Sequence, residues 1–292
     1  MIMNALYKIA DLTLQIKGRG ALLEGLDGFL PFRTESTDTP IATLTLDDSL
    51  DECDFEAAEW IYSSGEDGVT YDFGRHAEGF CCRLTTREGQ VMKLWHRTGC
   101  DIIRCNADLI EGYAPYELRF LLWIAYGLAV LPYGAVAVHT SVIMQGGKAY
   151  MFLGESGTGK STHTRLWREN IEGAELLNDD SPILRIVDGK PIVYGSPWSG
   201  KTPCYKNLSL PLGGVTRLSQ APHNRMRALG KLEAFGALLP SCPPNFAYDE
   251  ALTDRMCEII GAIIKTTPVY HLECLPDRAA AELSFNTLSN GR

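Results

Sequence analysis

Residues 149–169 read AYMFLGESGTGKSTHTRLWRE, and this stretch decides how the chain is read. An apolar, β-rich run, 149–153, ends on a glycine-rich loop, and a helical pattern over 161–169 leaves it. The loop is Gly154-Glu155-Ser156-Gly157-Thr158-Gly159-Lys160-Ser161-Thr162, which satisfies G-x-x-x-x-G-K-[ST]. Gly154, Gly157 and Gly159 let the backbone turn tightly, so that successive N–H groups point inward at phosphate oxygens. The helix start adds the positive end of its dipole. Lys160 can then reach the β- and γ-phosphates, and the Ser161 hydroxyl is placed to ligate Mg²⁺. The expectation is a nucleoside triphosphate held with Mg²⁺ on residues 154–162.

Upstream, two β-rich runs over 136–144 and 149–153 flank Gly146-Gly147. Both glycines tolerate positive φ, so the pair reads as a hairpin turn, with His139 in its first strand. Downstream stands Leu176-Leu177-Asn178-Asp179-Asp180. Apolar residues running into adjacent carboxylates read as a strand whose end faces the loop. Of Asp179 and Asp180, one carboxylate would hold the metal while the other accepts a proton from an attacking hydroxyl. The same Asp-Asp-Ser-Pro segment also reads as a solvated turn or a helix cap. Further on, 195–201 (GSPWSGK) is either a surface turn or a loop that brings Lys201 to a phosphate. Strands are expected at 183–186, 191–194 and 269–275, and helices at 231–239, 251–265 and after Pro276-Asp277. Arg225 and Arg227 are candidates to offset charge in a transition state, or are charges on a helix surface.

The first hundred residues read as short strands at 7–16, 41–46, 69–73, 81–85 and 91–95, separated by turn residues, and an antiparallel sheet is expected. A helix follows from about Tyr116. Its apolar part, 118–131, is shorter than the ~20 residues a bilayer span needs and contains Arg119, so a buried core helix is expected and no membrane. The formal net charge of −9 argues against a nucleic-acid partner. With 45% hydrophobic and 22% charged residues the chain can bury a sizeable core, and its 292 positions suggest two domains, or one with a substantial accessory part. Its nine cysteines include no C-x-x-C pair, and the N-terminus has polar breaks where a signal peptide would be apolar. Reduced thiols in a cytoplasmic protein are expected.

With these residues in view, the chain resembles the superfamily of HPr kinase/phosphorylase and ATP-dependent phosphoenolpyruvate carboxykinase. The likeness rests on His139, the G-x-S-G-x-G-K-[ST] form of the loop with Ser156, the pair Asp179-Asp180, and the segment Asn224-Arg225-Met226-Arg227. The likeness covers about residues 135–230 and implies a carboxykinase-like P-loop kinase domain over 116–292. With the strands read above, the expected architecture is α/β (α+β), that domain preceded by a smaller β-rich domain over 1–115. The likeness further implies a kinase that uses ATP, in which Lys160 stabilises the transferring phosphoryl group, Ser161 and Asp179 hold Mg²⁺, Asp180 is the general base, and His139 stands beside the reacting phosphate, with Arg225 or Arg227 left as the candidate to offset transition-state charge. The acceptor would be a hydroxyl on a small molecule, peptide or protein, and an oligomer is compatible with the pattern. The chain departs from HPr kinases in carrying Thr140 after the histidine, and in having no glutamate between Glu175 and Glu233. That missing ligand keeps a second expectation alive: a nucleotide-binding module that regulates a partner without turnover. Carboxykinase chemistry is a third.

Overall fold

The computed structural model describes residues 2–36, 38–51, 53–113, 115–200 and 202–290. It is a mixed α/β structure with two large mixed sheets. Contacts divide the chain into one unit of residues 1–132 with 245–253, and a second of 133–244 with 254–292. The helix expected to open the second domain therefore lies with the first unit.

In the first unit the strands are β1 (Ile2–Ile9), β2 (Leu12–Arg19), β3 (Arg33–Thr34), β4 (Ala42–Thr45), β5 (Glu59–Glu66), β6 (Val69–His76), β7 (Gly79–Thr85), β8 (Val91–Arg97) and β9 (Ile102–Cys105). Helix α1 (Gly20–Glu24) follows β2, and α2 (Pro115–Val130) follows β9. The strand order is β3-β1-β2-β4-β9-β8-β7-β6-β5. The sheet is mixed, against the expected antiparallel one, because β4 pairs in parallel with both β2 and β9. The run expected as one strand over 7–16 is a hairpin. Ala10 and Asp11 turn it at φ 52° and 59°, a conformation that alanine seldom signals. Helix α2 is buried along most of its length, and Tyr126 Oη donates to Ile9 O at 3.0 Å. Among the described residues, no helix is long and apolar enough to cross a membrane.

The second unit contains β10 (Ala135–Ala137), β11 (Thr140–Gln145), β12 (Lys148–Leu153), α3 (Lys160–Asn170), β13 (Glu175–Asp180), β14 (Ile183–Val187), β15 (Lys190–Tyr194), β16 (Ser209–Gln220), β17 (Arg225–Ala228), α4 (Lys231–Leu238), the later part of α5 (Glu250–Thr266), β18 (Val269–Cys274) and α6 (Arg278–Asn290). The strand order is β10-β14-β15-β16-β12-β11-β13, with β18 between β16 and β17. Strands β12, β16 and β18 run parallel. The run expected as one strand over 136–144 is broken. Val138 N turns to Pro182 O and His139 N to Ser241 O (3.1 and 2.7 Å), so β10 pairs with β14 while β11 pairs with β12 and β13.

The core of this unit gathers Phe152, Trp167, Ile143 and Leu272 around α3. One hydroxyl on α6 serves two buried polar groups of α3. Trp167 Nε1 donates to Ser284 Oγ at 2.8 Å, and His163 Nε2 shares a hydrogen bond with the same oxygen at 3.0 Å. Burial pushes the His163 imidazole down to about 4, so it is neutral here. All nine cysteines are free thiols.

Candidate active site

Strand β12 delivers the chain to the glycine-rich loop, and α3 takes it away. The loop needs its glycines for reasons the backbone makes plain. Gly154 lies at φ 155°, and a Cβ there would collide with the Thr158 hydroxyl. Gly157 and Gly159 take φ 82° and 101°, which L side chains rarely adopt. Thr158 closes the turn, its Oγ1 donating to Glu155 O at 2.8 Å. Lys160, the first residue of α3, is only 9% exposed. Its Nζ donates to Gly154 O (2.7 Å) and Glu155 O (3.2 Å), so its charge is held over the loop. Burial lowers the Lys160 ammonium below its ordinary value, against the opposing charges of Asp180 and Asp179.

Asp179 and Asp180 end β13, beside the loop. Ser161 Oγ donates to both Asp179 carboxylate oxygens at 3.2 and 3.3 Å. A hydroxyl against a carboxylate at a helix start is the donor set that Mg²⁺ accepts when phosphates and water complete its shell. Among the described residues, no group of three or more His, Cys, Asp and Glu side chains is arranged to hold a metal.

Asp180 has φ 133°, a strained backbone for a residue with a Cβ. The 196–204 loop holds it there. Gly200 N donates to Asp179 O, Ser199 bridges to Asp180, and Ser199 Oγ donates to Asp179 O at 3.2 Å. Buried Asn178 fastens the same loop, donating to Trp198 O at 3.0 Å, while its Oδ1 accepts from Ser181 N at 3.0 Å. With Ser196 and Trp198 buried, 195–200 is packed structure and not the free surface turn considered from sequence. Lys201 lies outside the described residues.

His139 Nε2 stands 3.8 Å from Asp180 Oδ1, and both side chains are half-exposed. Burial raises the Asp180 carboxyl above its ordinary value, and Asp179 adds to the rise while His139 and Lys160 oppose it. Burial and the Lys160 charge lower the His139 imidazole, against Asp180 and Asp179. His139 is set between β10 and β11, not within a strand.

Two cavities border the loop. One of about 540 Å³ lies between Gly157, Gly159 and Thr162 on one side and Leu218, Gln220 and Leu275 on the other. Gln220 Nε2 fixes that wall by donating to Gly157 O at 3.1 Å. The second, about 150 Å³, is lined by His139, Gly154, Glu155, Arg217, Pro240 and Ser241. The structure thus brings together His139, Lys160, Ser161, Asp179 and Asp180, while Arg225 lines neither of these two cavities. Arg225 is an exposed residue of β17, a strand where a helix surface was considered, opposite Glu273 of β18. Its neighbour Arg227 pairs with Glu233 at 2.9 Å. Arg217 was missed in the sequence because it reaches the loop only through the parallel pairing of β16 with β12, which sets it against Leu153.

No family model matches the chain, and no curated protein does. Among solved structures, it is similar to the HPr(Ser) kinase/phosphatase from Coxiella burnetii, at 12% identity and a TM-score of 0.31, over 53% of this chain and 88% of that one. At that TM-score the likeness carries no argument about chemistry, which rests on the side chains just described.

Proposed function

We propose that this chain is a Mg²⁺-dependent phosphotransferase that moves the γ-phosphoryl group of ATP to a hydroxyl. One observation carries the reading: a carboxylate of raised basicity, Asp180, stands beside a second carboxylate already engaged by the Ser161 hydroxyl, at the rim of a glycine-rich loop that holds a buried lysine. In this reading the loop amides and Lys160 bind the triphosphate, and Ser161 with Asp179 holds Mg²⁺, whose charge offsets that of the phosphates. Asp180 takes the proton of the acceptor hydroxyl, and His139 orients that hydroxyl or the γ-phosphoryl group. The cavity of about 540 Å³ is of a size to receive the nucleoside.

The test is label transfer from γ-labelled ATP to pooled small molecules, peptides and proteins, with Lys160→Ala in parallel. Transfer that depends on Lys160 and Mg²⁺ is the expected result. Tight ATP binding with no acceptor labelled would leave a regulatory nucleotide-binding module, and absence of ATP binding would overturn the reading.

A further inference from the structure

One cavity lies far from this chemistry in sequence, within the first unit. It measures about 980 Å³ and lies between the β5–β6 hairpin, the β7–β8 turn and the first turns of α2. Its walls are aromatic. Tyr71 and Phe120 meet edge to face at 4.8 Å between centroids, and Tyr113 and Tyr116 complete the lining from α2 and the segment before it. Carboxylates surround these rings. Glu117 lines the cavity while only 2% exposed, and Tyr116 Oη donates to it at 3.4 Å. Glu66, Asp67 and Glu88 stand exposed around it, and none makes an ion pair among the described residues. Arg87 also lines the space, but its Nε and Nη2 are spent on Asp67 O at 2.9 and 2.7 Å. Aromatic faces and carboxylates share one preference, for a cation.

The cavity adjoins an open sheet edge. β5 is the last strand of its sheet and pairs only with β6 among the described residues. Its residues, EWIYSSGE, include neither lysine nor proline, the usual guards of an edge. The bulge lies at Trp60–Tyr62, so 62–66 offers an unbroken stretch whose end, Ser64 to Glu66, also lines the cavity.

We infer that this edge and cavity form a docking site for an extended, cationic peptide segment. The segment adds to β5 as a further strand, and one of its arginine or lysine side chains enters the aromatic and acidic cavity. Main-chain pairing supplies affinity, and the cavity supplies the choice of side chain. The inference is independent of the phosphotransfer reading, since none of these residues belongs to the second unit.

The experiment is calorimetric titration of the full chain, without nucleotide, with the peptide acetyl-VTRTV-amide and its glutamate counterpart acetyl-VTETV-amide. The arginine peptide binds, and the glutamate peptide binds at least about tenfold more weakly. Methylating alternate backbone nitrogens of the arginine peptide abolishes binding in one of the two alternations, because only one set of amides faces the strand edge. The exposed pair Glu66→Lys and Glu88→Lys, which leaves the fold intact, weakens the arginine peptide and not the glutamate one. Equal affinity for the two peptides, or no binding of the arginine peptide, would overturn the proposal. So would agmatine binding as tightly as the peptide, because the cavity would then serve a small cation without the strand edge.

Discussion

The imidazole of His139 and the carboxylate of Asp180 stand 3.8 Å apart, with Asp180 raised and His139 lowered from their ordinary values. At neutral pH the pair is therefore a neutral ring beside a carboxylate more basic than usual, the state a general base requires. If Asp180 acts in the transition state, Asp180→Asn lowers phosphoryl transfer by on the order of 10²–10⁴ while ATP affinity moves far less. Parallel turnover and equilibrium binding measurements decide it. Loss of ATP binding would instead make Asp180 a metal ligand.

The same pair sets a pH profile. Activity falls as pH drops and Asp180 takes up a proton, and burial of Asp180 moves that acid limb of kcat/KM to higher pH than an exposed aspartate would give. Because His139 is one of the groups holding Asp180 down, His139→Asn moves that limb to higher pH. The two groups titrate together, so the limb reports the pair. An unmoved limb in this variant would show that the two groups are uncoupled in solution.

Arg217 and Arg225 make a paired comparison. Arg217 lines the small cavity with His139 and Gly154, whereas Arg225 is an exposed strand residue. Arg217→Ala lowers transfer, by roughly 10²-fold if it meets developing charge, while Arg225→Ala leaves it near wild type. Steady-state rates for the two variants test this, and the reverse ranking would restore Arg225 to the site.

Gly154→Ala forces a Cβ onto the Thr158 hydroxyl at a φ of 155°. Triphosphate binding is lost and the melting temperature falls. Gly261→Ala, inside α5 with no atom within 4 Å of the added carbon, raises stability by about 0.5–1 kcal/mol. Chemical denaturation of both variants separates a loop that needs glycine from a helix that does not.

Buried His163 gives stability its own pH dependence. Its value when folded, about 4, lies below the 6.5 of an unfolded histidine, so the unfolded chain binds the proton more readily. Stability is full above about pH 6.5, falls as pH drops toward 4, and flattens below, a loss of roughly 3 kcal/mol from this group. Urea titrations at pH 7 and pH 4 on wild type and His163→Met measure it: the variant's change with pH is smaller by that amount.

The strand, loop and helix around residues 149–170 were readable because glycine, lysine and serine at fixed spacing leave few conformations open. Asp179 and Asp180 at the end of β13 followed from apolar residues running into charge. What escaped was set by pairing at a distance. Nothing local in Val138-His139 says that its amides turn to Pro182 and Ser241 and break the strand. Nothing near Arg217 says that its strand lies parallel to β12. The Ala10-Asp11 turn lacks the residues by which such turns are recognised, and the parallel place of β4 follows from neighbours far along the chain.

The Ser284 hydroxyl has a consequence for the order in which the chain becomes competent. It lies 117 residues beyond Trp167, whose indole N–H it accepts, and 121 beyond His163, with whose Nε2 it shares a hydrogen bond. During synthesis at about 5–20 residues per second, α3 waits on the order of ten seconds for the partner of its two buried polar groups. Until α6 leaves the ribosome, Trp167 Nε1 and His163 Nε2 lack that partner. A nascent chain halted short of residue 284 should fail to retain on an immobilised triphosphate what the released chain retains.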